Sequence, residues 1–322
     1  MRLKYIDGAK GFCIALVVLG HICRKNWLGT IPVILIYTVN VQAFFIISGV
    51  FLEKNKEYQR NIKDIITSNV IRLLVPYYCF ETIYNLAYAV INGFVTFRWQ
   101  EIDTFIFYGR GIATWFLPAL LIAKIVLILL YKTRMNRKLV YLIAFVLFGI
   151  GLFHEVYYPG ELHWILQFFF RGLIGIGFLT IGAILYNNIE YIVSFRNTVI
   201  IYALFVAFLM AALFNGQVST YKLEFNNPFL YVFTSVAGTL IVLRVFRRFT
   251  TRIFEYWGRN SIIILGTHQA ILCFFNAWIG KEYSICAAVF QWVIIMLMEF
   301  PIIMIINRWV PFLVGKKKHL NK

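Results

Sequence analysis

Apolar runs long enough to cross a bilayer recur from one end of this chain to the other, and that leaves few folds open to it. No water reaches the hydrocarbon core to satisfy backbone N–H and C=O groups, so runs of about 20 residues there must close their own hydrogen bonds as helices. Hydrophobic residues make up 61 % of the 322 residues and charged ones only 14 %, which places the chain in the membrane class. Ten spans are expected, near 5–23, 31–52, 68–92, 113–131, 139–153, 166–186, 198–214, 228–246, 260–279 and 284–312. The fifth is short for a crossing, and the last is long and interrupted by Pro301. Loops are short, and neither a low-complexity tract nor a Pro/Ser linker leads to a soluble domain. The expectation is therefore one all-α, polytopic domain over residues 1–322, with no cleavable signal, since Asp7 and Lys10 open the first run.

Orientation follows from the basic residues. One set of flanks carries Lys54, Lys56, Arg60 and Lys63, then Lys132, Arg134, Arg137 and Lys138, then Arg247, Arg248, Arg252 and Arg259. Arg2 and Lys4 at the start, Arg196, and Lys316, Lys317, Lys318 and Lys322 at the end belong to the same side. The other side holds only Arg24, Lys25, Arg98, Arg110, Lys222 and Lys281. The positive-inside rule puts both termini in the cytoplasm, in agreement with an even number of spans. The net charge of +17 thus expresses topology and attraction to anionic lipid headgroups, not nucleic-acid binding. Cys13, Cys23, Cys79, Cys273 and Cys286 lie in apolar stretches without metal-ligand spacing and read as small core residues with no disulfide framework. Neither they nor His154 and His163 suggest a metal.

Ionisable side chains at bilayer depth are costly and so mark candidate sites. Lys10, His21, Arg72, Glu81, Lys124, Arg171, His268 and Glu299 form that set. Lys10 and His21 stand eleven residues apart on the first span. At about 100° per residue, eleven residues return to the same face, with a rise of roughly 16 Å. A cation at the membrane mouth and an imidazole deeper on one face fit a long substrate with an anionic end and a reactive end. Neutral imidazole suits a general base deprotonating an alcohol that attacks a carbonyl, and it equally suits a histidine hydrogen-bonded between helices. No G-x-S-x-G elbow supplies a covalent route, and Ser48-Gly49 reads as helix packing, as Gly20 beside His21 permits a close neighbour.

Arg72 enters the third span from the same side as Lys10, either as a headgroup ligand or as a second anion ligand. Two cations at one mouth suit a nucleotide diphosphate, and Asp7, three residues before Lys10, is placed to orient or partly neutralise it. His268 lies about eight residues into the ninth span, placed to face His21 or to bond a backbone carbonyl. Trp115 opens the fourth span, as an aromatic-belt residue or a platform for sugar stacking. Lys124 reads as a snorkelling lysine, Glu299 as a partner for Arg308, and Arg171 as a span-end residue. The outer segments Arg98–Glu101, His154-Glu155, Glu161–Trp164 and Tyr221–Glu224 are candidates for a sugar groove or for solvated turns.

Six stretches in order resemble the integral membrane acyltransferase 3 family, in particular its branch similar to fucose 4-O-acetylase. They are Tyr5-Ile6-Asp7-Gly8-Ala9-Lys10-Gly11, Leu19-Gly20-His21, Phe44-Phe45-Ile46-Ile47-Ser48-Gly49, Arg72-Leu73-Leu74-Val75-Pro76-Tyr77, Trp115-Phe116-Leu117, and Gly258-Arg259-Asn260-Ser261 followed by His268. The resemblance implies ten transmembrane helices in a membrane that is most often the bacterial cytoplasmic one. It also implies acyl-CoA, by precedent acetyl-CoA, as donor on the cytoplasmic side, and O-acylation of a polysaccharide, oligosaccharide or glycolipid, with no metal. In this reading Lys10, Arg72 and Asp7 serve the donor, His21 is the base, His268 or a backbone amide stabilises the oxyanion, and Trp115 meets the acceptor. Two positions depart from the family pattern: Lys10 stands where many members have arginine, and Asn69 stands where a second arginine would accompany Arg72. A transporter of a polysaccharide precursor or other solute, using the buried charges to couple movement, is the alternative, and a non-catalytic envelope scaffold is a third.

Overall fold

A computed structural model describes residues 3–26, 30–92, 113–158, 163–249, 251–278 and 285–316. Arg98–Glu101 and residues 161–162 lie outside the described residues, and of the six cations expected on the outer flanks only the Lys222 side chain lies within them. The expected all-α character holds: among the described residues the only β pairing is an isolated bridge between Ser219 and Glu224. Among the described residues, ten long helices fall where the ten spans are expected. They are α1 (Lys4–Asn26), α2 (Thr30–Lys54), α3 (Ile62–Asn92), α4 (Phe116–Lys132), α5 (Arg137–Leu152), α6 (Trp164–Leu185), α7 (Thr198–Asn215), α8 (Pro228–Arg248), α9 (Ser261–Trp278) and α10 (Ile285–Trp309).

Seven of these are long and apolar enough to cross a membrane, and α9 joins them when taken with the short helix Arg252–Arg259 before it. α3 and α5 do not meet that measure. α5 has only 16 residues, while α3 carries charge along its 31 residues and begins at Ile62, six residues before the expected boundary. Its added first turns lie on the surface, Lys63 and Asp64 exposed and Ile65 turned into the core. Helix starts follow the polar caps in the sequence: Asn136, Asn197 and Asn227 each accept an N–H of the first turn, as does Thr251 for the short helix.

The core centres on α1, which packs against α2, α8, α9, α10 and the helix Arg252–Arg259. That short helix is bent 85° from α9 and lies across the first half of α1. It approaches so closely that a Cβ on Gly11 would fall on the Phe254 carbonyl, and one on Gly258 would fall on the Asp7 carbonyl. α2 and α6 cross through a second such pair, Gly49 against Leu179 and Gly182 against Ile46, which bears out the packing reading for Gly49, while Ser48 lines the cavity described below. Rings of Phe12, Phe246, Phe254, Trp257 and Phe300 interlock around the short helix.

The buried charges find partners other than those expected. Glu299 accepts the Thr267 hydroxyl at 2.8 and 2.9 Å where Arg308 was expected, because α9 and not the end of α10 faces it. Lys124 pairs with Glu57 at 2.7 Å, fastening the turn after α2 to α4. Glu81, fully buried in α3, accepts the Thr114 hydroxyl just before α4. None of the five cysteines is in a disulfide, but only Cys13 and Cys23 are core residues, and Cys286 is exposed on α10.

Candidate active site

A cavity runs along α1 between α2, α4, α9, the loop from α7 to α8 and the C-terminal segment Pro311–Lys316. α1 contributes Lys10, Ile14, Val17 and His21, spaced four, three and four residues apart, so a single helical face forms one wall. The structure thus brings Lys10 and His21 together as the eleven-residue spacing predicts, at opposite ends of one chamber.

The Lys10 end is ionic. Arg259 and Lys316 line it too, supplied by the bend before α9 and by the C-terminal segment. The Asp7 carboxylate is buried and lies 3.7 Å from the Arg259 guanidinium, which also meets Glu255 at 3.1 Å. Asp7 itself is off the cavity wall and meets the site through Arg259, which lines it. Lys316 donates to Asn307 at 2.7 Å, Asn307 donates to Asn260 at 2.9 Å, and Asn260 in turn donates to the Tyr256 carbonyl. This chain of amides ties α10 and the C-terminal segment to the 85° bend and holds Lys316 in place. Arg72 is exposed, with its backbone against Gly315, and does not line the cavity; Lys316, one residue beyond Gly315, does.

Apolar side chains of α1, α2 and α4 fill the middle, among them Ile14, Val41, Phe44, Phe116 and Leu120. Polar groups return at the far end, where His21 meets Tyr37, Asn40, Trp115 and residues Ser219–Tyr221. The His21 ring lies 5.3 Å from that of His268, centroid to centroid, and the Gln269 amide nitrogen is 3.1 and 3.2 Å from its two ring nitrogens. His268 is fully buried and off the cavity wall, its Nδ1 held by the Ile264 carbonyl at 2.6 Å. It faces His21 as the sequence suggests, but it is not part of the cavity lining.

Trp115 does face the cavity, and the reason is Arg171. That arginine is only 2 % exposed, lies over the Tyr221 ring at 4.2 Å and the Trp115 ring at 5.6 Å, and donates through Nε to the Tyr221 carbonyl at 2.7 Å. It therefore pins the α7–α8 loop to the opening of α4. The loop is stiff for other reasons as well: Val218, Leu223 and Phe225 are buried, and Leu223 and Asn226 adopt left-handed backbone, with φ of 65° and 55°. Asn226 offsets its strain by donating to the carbonyls of Asn215 and Gln217. A further network joins Gln42, Thr220 and Tyr231 behind the wall, at 2.9–3.1 Å.

Arg259, Lys316, Gln269, Asn40 and Ser219–Thr220 were not assigned to the site from sequence. Gln269 adjoins His268, which was, and Arg259 stands within the quoted stretch Gly258-Arg259-Asn260-Ser261, so both had a usable signal. Lys316 sits in a lysine run that reads as topology, and Asn40 carries no charge to draw notice. Among the described residues no cluster of His, Cys, Asp or Glu could hold a metal ion.

Fold and cavity together define a polytopic membrane protein with an internal chamber, ionic at one end and bearing an imidazole at the other. The chain belongs to the acyltransferase 3 family, whose acyltransferase-domain model matches residues 3–314, and it is a membrane acyltransferase. Comparison with curated proteins and with solved structures finds no match.

Proposed function

We propose that this enzyme moves an acetyl group from acetyl-CoA to a hydroxyl of an envelope carbohydrate, with His21 as general base. The observation that carries this reading is that Lys10 and His21 share one wall of one cavity. Lys10, Arg259 and Lys316 suit the phosphates of an acyl-CoA, with Arg72 near the rim, and the apolar middle suits the uncharged arm that leads to the thioester. The positive-inside rule makes this end cytoplasmic, in a bacterial cytoplasmic membrane by family resemblance. The acceptor enters at the far end, where the Trp115 and Tyr221 rings offer a stacking surface and Tyr37, Ser219 and Thr220 offer hydrogen bonds. The choice of acetyl, and of a carbohydrate acceptor, follows the resemblance to the fucose 4-O-acetylase branch.

In the reaction His21 takes the proton of the attacking hydroxyl as its oxygen bonds to the thioester carbon. Collapse of the tetrahedral adduct breaks the C–S bond, and the departing thiolate takes the proton from the His21 imidazolium, giving free CoA thiol and an ester. His268 and Gln269 hold the ring for both transfers. Membership of an acyltransferase family sets aside the transporter and scaffold alternatives.

The test uses purified protein in nanodiscs with acetyl-CoA, following thiol release with candidate sugars, beside a folded His21→Ala variant. A loss of about 10²–10⁴-fold in turnover is expected, the range of general-base contributions. Turnover unchanged in that variant removes His21 as base, and failure of acetyl-CoA to bind the wild-type protein removes the donor.

A further inference from the structure

The mechanism above leaves the oxyanion without a donor. His268 does not line the cavity, so the charge that develops on the thioester oxygen must be met from the cavity wall. Asn40 of α2 is 3 % exposed and lines the cavity. Its side chain makes one hydrogen bond within the described residues, in which Oδ1 accepts the Val41 N–H at 2.7 Å. That bond fixes the orientation of the amide, because a flipped group would set its NH₂ against a backbone N–H. The two Nδ2 protons are left as donors at the boundary between the polar far end and the apolar middle, beside Val17 and Val41.

Helix register gives its depth. α1 and α2 pack side by side; Tyr37 donates to the Gly20 carbonyl at 3.3 Å, while Cys13 clusters with Val39 and Ala43. Residue numbers therefore run in opposite directions along the pair, and Asn40 falls near the level of Val17. That is one turn, roughly 6 Å along the axis, from His21 toward the cationic end. A thioester whose phosphates rest at Lys10 reaches the Asn40 level just before its carbonyl carbon meets an oxygen held at His21. A base and an oxyanion donor about two hydrogen bonds apart, on either side of one carbonyl, are what acyl transfer requires.

We propose that Asn40 is a catalytic residue whose Nδ2–H group binds the oxyanion of the tetrahedral adduct; this deepens, and rests on, the reading of the cavity as an acyl-CoA site with His21 as base. Addition converts the C=O π pair into a third lone pair on oxygen, which Asn40 holds while the new C–O bond forms. On collapse that pair returns to the carbonyl and the electrons of the C–S bond leave on sulfur.

The experiment compares Asn40→Asp, which keeps shape and loses both donors, with Asn40→Ala and Asn40→Ser in nanodiscs. Initial thiol-release rates with a working acceptor give kcat and KM for acetyl-CoA, and thermal melting reports folding. A fall of about 10²–10³-fold in kcat for Asn40→Asp, with KM for acetyl-CoA within threefold, is expected. Asn40→Ser, whose hydroxyl is a donor, should recover part of that loss over Asn40→Ala. The proposal is overturned if folded Asn40→Asp and Asn40→Ala keep kcat within threefold, if only KM rises, or if serine performs no better than alanine. Should Asn40→Asp misfold, the alanine and serine pair decides alone. Normal Asn40 variants beside a dead His21→Ala would remove this inference and leave the base, whereas an active His21→Ala would remove the reading beneath both.

Discussion

At the residue scale, the cations of the cavity mouth differ in how they are held, and this sets what their loss should do. Lys316 is held by the Asn307 amide, while Arg259 is clamped between Asp7 and Glu255. A clamped guanidinium keeps its geometry when the site is empty, so less ordering is needed when an anion arrives. Lys10→Ala and Arg259→Ala should each raise KM for acetyl-CoA about tenfold or more, the worth of one charge-assisted hydrogen bond, and leave kcat much less affected. Asp7→Asn should raise KM only through Arg259, so it should add little to Arg259→Ala in the double variant; full additivity would sink the clamp. The chemistry of this scale was largely legible in the chain. Lys10 and His21 both reach the cavity, because a helical period of about 3.6 residues turns sequence spacing directly into shared faces, while Trp115 reaches it under Arg171. Asp7, Arg72 and His268 were placed at the right ends but off the wall, since which side of its helix faces the cavity depends on the neighbours of that helix.

At the element scale, the short helix Arg252–Arg259 was the feature least visible beforehand. Its basic residues read as a cytoplasmic flank, yet it carries Phe254, Trp257 and Gly258 onto α1 and turns 85° into α9. Eight residues are too few to reveal a packing partner, and the bend at Asn260 arises from contacts with α10 and the C-terminal segment, far away in sequence. The two reciprocal glycine pairs give the test. Gly258→Ala places a methyl on the Asp7 carbonyl and must push the short helix off α1, displacing Arg259 from the mouth. We expect a destabilisation of about 1–3 kcal/mol, typical of overpacking, read as a lower melting temperature together with a raised KM for acetyl-CoA. Gly149→Ala, where the added methyl meets open space, is the control and should melt no lower than wild type. Equal melting of the two variants would show that the contact on α1 is not tight.

At the scale of the whole molecule, the cavity draws its walls from helices at both ends of the sequence, and its two ends face opposite sides of the bundle. Leu3 and Lys316 both lie with the cationic end, so single cysteines placed at these positions in a variant without its five native cysteines should be labelled from the same side by a membrane-impermeant reagent. Gln217→Cys, in the α7–α8 loop, should be labelled from the other side. Labelling of all three from one side would overturn the transmembrane placement of the cavity. The sequence by itself determined the helical membrane fold, the ten segments and the Lys10–His21 axis, because each rests on local facts: hydrophobic length, backbone self-satisfaction and helical period. Only the tertiary structure decided that Arg259 and Lys316 join Lys10, that Arg171 fixes Trp115 and Tyr221, and that Asn40 comes level with the space below His21. Those juxtapositions depend on close approach between helices distant in the chain, through Gly11 and Gly258 and through Gly49 and Gly182, and packing of that kind leaves no periodic trace in the order of residues.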